Sequence, residues 1–140
     1  MKPERLRVVL IGVAAVVIGF NVWMYYTWPD LPLLPCKNTE VSRAPSPDGT
    51  LDAVLFTREC ASTKSVGSQV SLIGAGEALP NKSANAFVSN GGDVRAAWGG
   101  PRVSLEWTGP AALTVTRDPT AEVYKSEADV AGATITYIAQ

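Results

Sequence analysis

Three groups of side chains in this 140-residue chain have types and spacings from which chemistry is built. Ser62 and Lys64 lie two apart in the polar run 61–68, and a desolvated lysine beside a serine can act as its base. The run has no S-x-x-K motif starting at Ser62 and no partner set around it, so it reads as an exposed hairpin loop. Gly74-Ala75-Gly76 follows a strand-like stretch, where a phosphate-cradling loop would sit. It lacks a third glycine and a following helix, so it reads as a turn. Asp48, Asp52 and Glu59 are close in sequence but lack the dense alternation of oxygen ligands that a calcium loop needs, and Asp48 is explained by a turn. The chain has no His, which removes the commonest acid–base group and the commonest metal ligand. The expectation is no catalytic residue, no cofactor and no metal site, in a protein that is not an enzyme.

Two further features invite structural or partner roles. Cys36 and Cys60 are the only cysteines, and their wide spacing has no CxxC character. On the oxidising side of a membrane they are expected to form one disulfide, tying the end of a linker to the first strand of a domain. Loop-closure entropy for such a span is about 3–4 kcal/mol. Trp98 sits between Ala97 and Gly99 in a loop-like stretch. A ring that large either packs at the edge of a core or anchors a partner, and both readings stand at this point.

What must position these groups begins with the N-terminus. Lys2, Arg5 and Arg7 precede an apolar run over 8–24 in which only Asn21 is strongly polar. With its flanks, 6–28, the run makes about 34 Å of helix, enough to span a hydrocarbon core of about 30 Å. Backbone groups inside a bilayer must be paired internally, so the segment is expected to be a helix. Trp23, Tyr25, Tyr26 and Trp28 gather at one end, where amphipathic rings suit the headgroup layer, and Asn21 lies close enough below them to take partners from water or headgroups. The basic residues before the run, and none after it until Lys37, place the N-terminus in the cytoplasm by the positive-inside bias. The exit from the run offers no small-x-small cleavage site, and Pro35 before Cys36 disfavours lipoprotein processing, so the anchor is expected to stay uncleaved. Gly12, Ala15 and Gly19 share one side of the helix and form a candidate packing face for a second membrane helix.

The predicted organisation is therefore a cytoplasmic stub and anchor over 1–28, a proline-rich spacer over 29–36 and an extracytoplasmic domain over 37–140. Setting aside Lys2, Arg5, Arg7 and Glu4 from totals of 12 basic and 13 acidic residues leaves nine and twelve, a net −3 that excludes a nucleic-acid surface. Strand signals dominate the domain. Residues 51–60 are apolar on both faces and read as a central strand. Residues 69–73 and 102–107 alternate, with Val70 and Leu72, and Val103, Leu105 and Trp107, turned inward. Shorter apolar stretches at 86–88, 113–115, 121–125 and 133–138 are separated by Gly/Pro turns. Six or seven short strands of this kind predict a mainly β fold, an antiparallel β-sandwich or a small, partly open barrel.

Ser46-Pro47-Asp48-Gly49, the strand 52–60 ending in Arg58-x-Cys60, the strand Gln69-Val70-Ser71-Leu72 and the hairpin from Trp107 to Val115 together resemble a group of small, uncharacterised bacterial membrane-anchored or exported proteins. The likeness covers about 44–116, and the group carries Gly where this chain has Ala61. It implies a bacterial inner-membrane protein with its domain in the periplasm, and it carries over no activity. The expected partners are the lipid bilayer and another membrane protein, not nucleic acid. The functional expectation is an accessory or interaction subunit of a membrane assembly, with a tethered periplasmic ligand-binding or envelope-stress module as the alternative.

Overall fold

The computed structural model describes residues 2–27, 36–60 and 66–140. The chain divides into two units, Met1–Leu33 and Leu34–Gln140. The first holds helix α1, Pro3–Thr27, which is long and apolar enough to cross a membrane. None of its side chains is buried. Within the helix the Asn21 side-chain amide donates to the Val17 carbonyl one turn back, at 2.7 Å. Trp23 lies 5.9 Å from the Phe20 ring, and Tyr25 meets Tyr26 edge-on at 5.6 Å. Trp28 and the spacer residues 29–35 lie outside the described residues.

The second unit is a two-sheet β structure with no closed barrel. The strands are β1 Cys36–Pro45, β2 Leu51–Cys60, β3 Gly67–Gly74, β4 Phe87–Gly91, β5 Val103–Gly109, β6 Ala112–Arg117, β7 Ala121–Ser126, β8 Asp129–Val130 and β9 Ala133–Ala139. One sheet has the order β1-β2-β3-β4-β7, all antiparallel; the other runs β5-β6-β9-β8. The all-antiparallel expectation needs one correction, since β6 and β9 pair in parallel. The chain leaves β6 for the opposite sheet at β7 and returns through β8, which lets β9 come back in the same direction as β6.

A second correction concerns the domain's start. Cys36 is the first residue of an edge strand and not the end of a spacer, and β1 was not expected from the sequence. Its residues Cys-Lys-Asn-Thr-Glu-Val-Ser-Arg-Ala-Pro read as a polar loop because an edge strand with one solvated face carries few apolar side chains. A bulge at Glu40/Ser42 inserts Val41, which packs on the core together with Ala44. The turn after β1 is held by Asp48, whose carboxylate accepts from Ser46 Oγ at 2.7 Å, Thr50 Oγ1 at 2.8 Å and the Thr50 amide at 3.1 Å.

The main core lies between the sheets. Ala53, Leu55, Val70, Leu72 and Phe87 come from the first sheet, and Val103, Leu113, Val115, Ala133 and Ile135 from the second. In β2 the alternate residues Val54 and Phe56 point the other way and join Ile73 and Ala84 in a separate small cluster. That explains a strand apolar on both faces: its outer face is covered by the segment 75–86, packed through Leu79.

Four carboxyl groups staple the turns, and their pKa values fall below the ordinary range. For Asp48 the cause is the Ser46 and Thr50 bonds. For Asp52 it is the Gly76 amide and then Arg43; for Glu40, its bond to Arg43; for Asp118, the Thr120 amide and hydroxyl at the corner between β6 and β7. Such groups bind protons less readily folded than unfolded, so their stabilisation is present above the usual carboxylate pKa of about 4 and is lost as pH falls through the lowered values. The melting temperature is therefore expected to be level from pH 7 to about 5 and to drop steadily below about 4, as a circular-dichroism melting series across pH would show.

Candidate functional site

The segment 75–86 crosses the outer face of the five-stranded sheet as a strap, and its anchors define the site. At one end the Gly76 amide donates to Asp52 Oδ2 at 3.0 Å and Arg43 Nη1 donates to the Glu77 carbonyl at 3.0 Å. Arg43 also pairs with Asp52 at 2.8 Å and Glu40 at 2.9 Å. The Gly74-Ala75-Gly76 stretch is thus a turn, as expected, and its amide serves a carboxylate of the protein. In the middle, Gln69 Oε1 accepts from the Ala84 amide at 2.9 Å and Ser71 Oγ accepts from the Asn85 amide at 3.1 Å. Asn85 in turn pairs with both backbone groups of Leu72, and Lys125 Nζ donates to the Ala84 carbonyl.

At the far end the strap is clamped by two asparagines and an arginine. Asn38 Nδ2 donates to the carbonyls of Pro80 and Lys82 at 2.9 and 2.8 Å, and Asn81 Nδ2 donates to the Cys36 carbonyl at 2.9 Å. These bonds fix which end of each amide is oxygen. Both oxygens face Arg58, whose Nη1 donates to Asn38 Oδ1 at 2.8 Å and to Asn81 Oδ1 at 3.4 Å. The Cys36–Cys60 disulfide closes the same end of the sheet, where the two cysteines are direct partners in the β1–β2 register.

Beside this clamp the outer face opens into a cleft of about 250 Å³. Arg58, Cys60 and Gly67 form one side, Gln69 and Ser83 the wall toward the strap, and Val88, Ser89, Asn90 and Tyr124 the other side. Gly67 stands directly across from Arg58 in the sheet register. A Cβ there would lie 2.8 Å from the Ser89 carbonyl oxygen, so only glycine lets β3 and β4 approach, and the floor of the cleft is left without a side chain.

Of the candidate residues singled out from sequence, Cys60 lines the cleft and the other described ones fall elsewhere. Ser62, Lys64 and Ser65 lie outside the described residues. Asp48 and Asp52 serve a turn and a strap anchor, and among the described residues no group of three His, Cys, Asp or Glu is gathered for a metal. Trp98 is half-buried against the main core, and its indole N–H donates to Ser68 Oγ at 2.9 Å. Ser68, fully buried, donates its hydroxyl to the Pro101 carbonyl at 2.6 Å. Gly12, Ala15 and Gly19 lie on the exposed surface of α1, with open space where a Cβ on either glycine would be. The strap left one signal in the sequence, Gln69 and Ser71 inside the buried strand β3, but the segment that uses them could not be inferred from it.

No protein-family model, curated protein or solved structure matches this chain.

Proposed function

We propose that this chain is a single-pass, membrane-tethered ligand-binding module of the bacterial inner membrane, with α1 as its uncleaved anchor and the β domain in the periplasm. The observation that carries the reading is the cleft beside the Arg58 clamp, an open concavity on a sheet face whose walls are fixed by a disulfide and a hydrogen-bonded strap. Binding rather than catalysis is favoured by the titratable groups there. Among the described residues the cleft is lined by no His, Asp, Glu or Lys, the side chains that most often move protons in catalysis. An oxidising compartment is supported by the disulfide, and the orientation by Lys2, Arg5 and Arg7 before the helix.

Protease added to spheroplasts tests the topology. The expected result is loss of the β domain with α1 retained in the membrane, and Cys36 and Cys60 resistant to alkylation before reduction. A protected domain or freely alkylated cysteines contradict it. A second reading, an accessory subunit of a membrane assembly, draws on the open Gly12/Ala15/Gly19 face. It predicts that Gly19→Leu disrupts co-purification with a partner after mild detergent extraction.

A further inference from the structure

We infer that the cleft selects a small oxyanion, a carboxylate or a phosphate, and that Arg58 is the residue that recognises it. The inference rests on the binding-module reading and adds the ligand's chemistry. Among the described residues Arg58 is the only charged one lining the cleft, and no carboxylate lines it. Its hydrogen bonds use Nη1 alone, and both go to neutral amide oxygens. Among the described residues the ion pairs belong to Arg43, and no carboxylate pairs with Arg58. A half-buried guanidinium held by one nitrogen presents its Nε and Nη2 donors, the edge that meets a carboxylate or phosphate two-fold.

One neighbouring polar group has the same sense. Gln69 uses its oxygen on the Ala84 amide and the Ser83 hydroxyl, which leaves its nitrogen as the donor end. Tyr124 spends its hydroxyl proton on Glu122 at 2.9 Å, so the donors of the cleft come from Arg58 and Gln69. Size limits the ligand further. A volume of about 250 Å³ is below the usual range for drug-sized molecules and suits an anion of a few heavy atoms with some water. The competing account is that Arg58 only clamps the strap. It is separable because Ser83 is exposed at the cleft wall and makes only a 3.4 Å contact to Gln69, so Ser83→Trp fills the cleft and leaves the Asn38–Arg58–Asn81 bonds untouched.

The test is a titration of the full ¹⁵N-labelled chain in an uncharged detergent, at constant ionic strength, with inorganic phosphate, succinate and the neutral probe erythritol. The expected result is saturable shifts of Arg58, Gln69 and Asn90 resonances with phosphate or succinate, weakened at least tenfold in both Arg58→Gln and Ser83→Trp. Nanodiscs separate the sources of a phosphate. If the anion is a lipid headgroup, the same shifts appear on adding phosphatidylglycerol to phosphatidylcholine without free phosphate; if it is soluble, they appear only with added anion. Anion shifts that survive either substitution overturn the inference. If erythritol moves these resonances and no anion does, the anion assignment falls while the cleft still binds. If no probe moves them, both the inference and the binding-module reading fall.

Discussion

Truncating Phe87 to alanine is expected to lower the unfolding free energy of the β domain by about 3–5 kcal/mol, the cost of removing a large ring from a core that cannot close over the gap. Phe87 has no exposed surface and sits where both sheets contribute to the main core. Its strand bonds to β3 on one side, opposite Val70, and to β7 on the other, opposite Ser126. Its ring stacks on Tyr137 at 5.5 Å, and the Tyr137 hydroxyl donates to the carbonyls of Glu127 at 2.7 Å and Ala86 at 3.1 Å. Truncation therefore opens a cavity beneath a tyrosine that is pinned at its far end and unable to swing into it. For a domain of this size the melting temperature should fall by about 12 °C or more. Tyr124→Ala, which removes a ring that is 63% exposed, should change stability by no more than about 0.5 kcal/mol. Calorimetric melts of the two variants in detergent, beside the unaltered chain, check the contrast.

Replacing Cys36 and Cys60 together by alanine is expected to cost about 3 kcal/mol, from the closure entropy of a loop of 24 residues' separation. The location gives the loss a second consequence. β1 is an edge strand paired only with β2, and the disulfide joins the end of that pair remote from the turn at 46–50. Without it the first residues of β1 are free to fray, and with them the Cys36 carbonyl that orients Asn81 and the Asn38 side chain that orients Arg58. Hydrogen exchange should therefore rise first at residues 37–39 and 58, ahead of the core strands. Reduction of the unaltered chain should reproduce both effects. Equal melting temperatures and equal exchange in the oxidised and reduced chains would show that β1 is held by its ladder alone.

The elements legible in the sequence are those whose side chains report both of their surroundings. β2 was readable because Ala53 and Leu55 face one core while Val54 and Phe56 face another. β5 was readable from the strict alternation of Val103, Leu105 and Trp107 with Ser104 and Glu106. β1 was not, because its identity comes from the free edge of β2 and from a bulge that turns Val41 inward, neither of which is local. The parallel β6–β9 pairing depends on β7 crossing to the other sheet, a choice made by long-range packing and not by any residue within β6 or β9. The cleft was illegible for the same reason. Arg58 stood out only as part of an Arg-x-Cys motif, and its clamp comes from residues 20 and 23 positions away. Gly67 looked like one more loop glycine, yet it is needed for close approach to Ser89 and leaves the floor of the cleft open. Trp98, by contrast, had been readable as either core or contact, and its bond to buried Ser68 gives it a packing role.

On the proposed reading, the ligand-binding surface is the strap-side cleft of the five-stranded sheet. The most direct measurement is a map of amide and side-chain shifts over the full chain in detergent, recorded with erythritol, succinate, phosphate and putrescine in turn. The cleft account predicts that whichever probe binds, the largest shifts gather at Arg58, Gln69, Ser83, Asn90 and Tyr124. Shifts centred instead on the outward face of the four-stranded sheet, at Ser104, Thr114 and Thr134, with the cleft resonances unmoved, would contradict it.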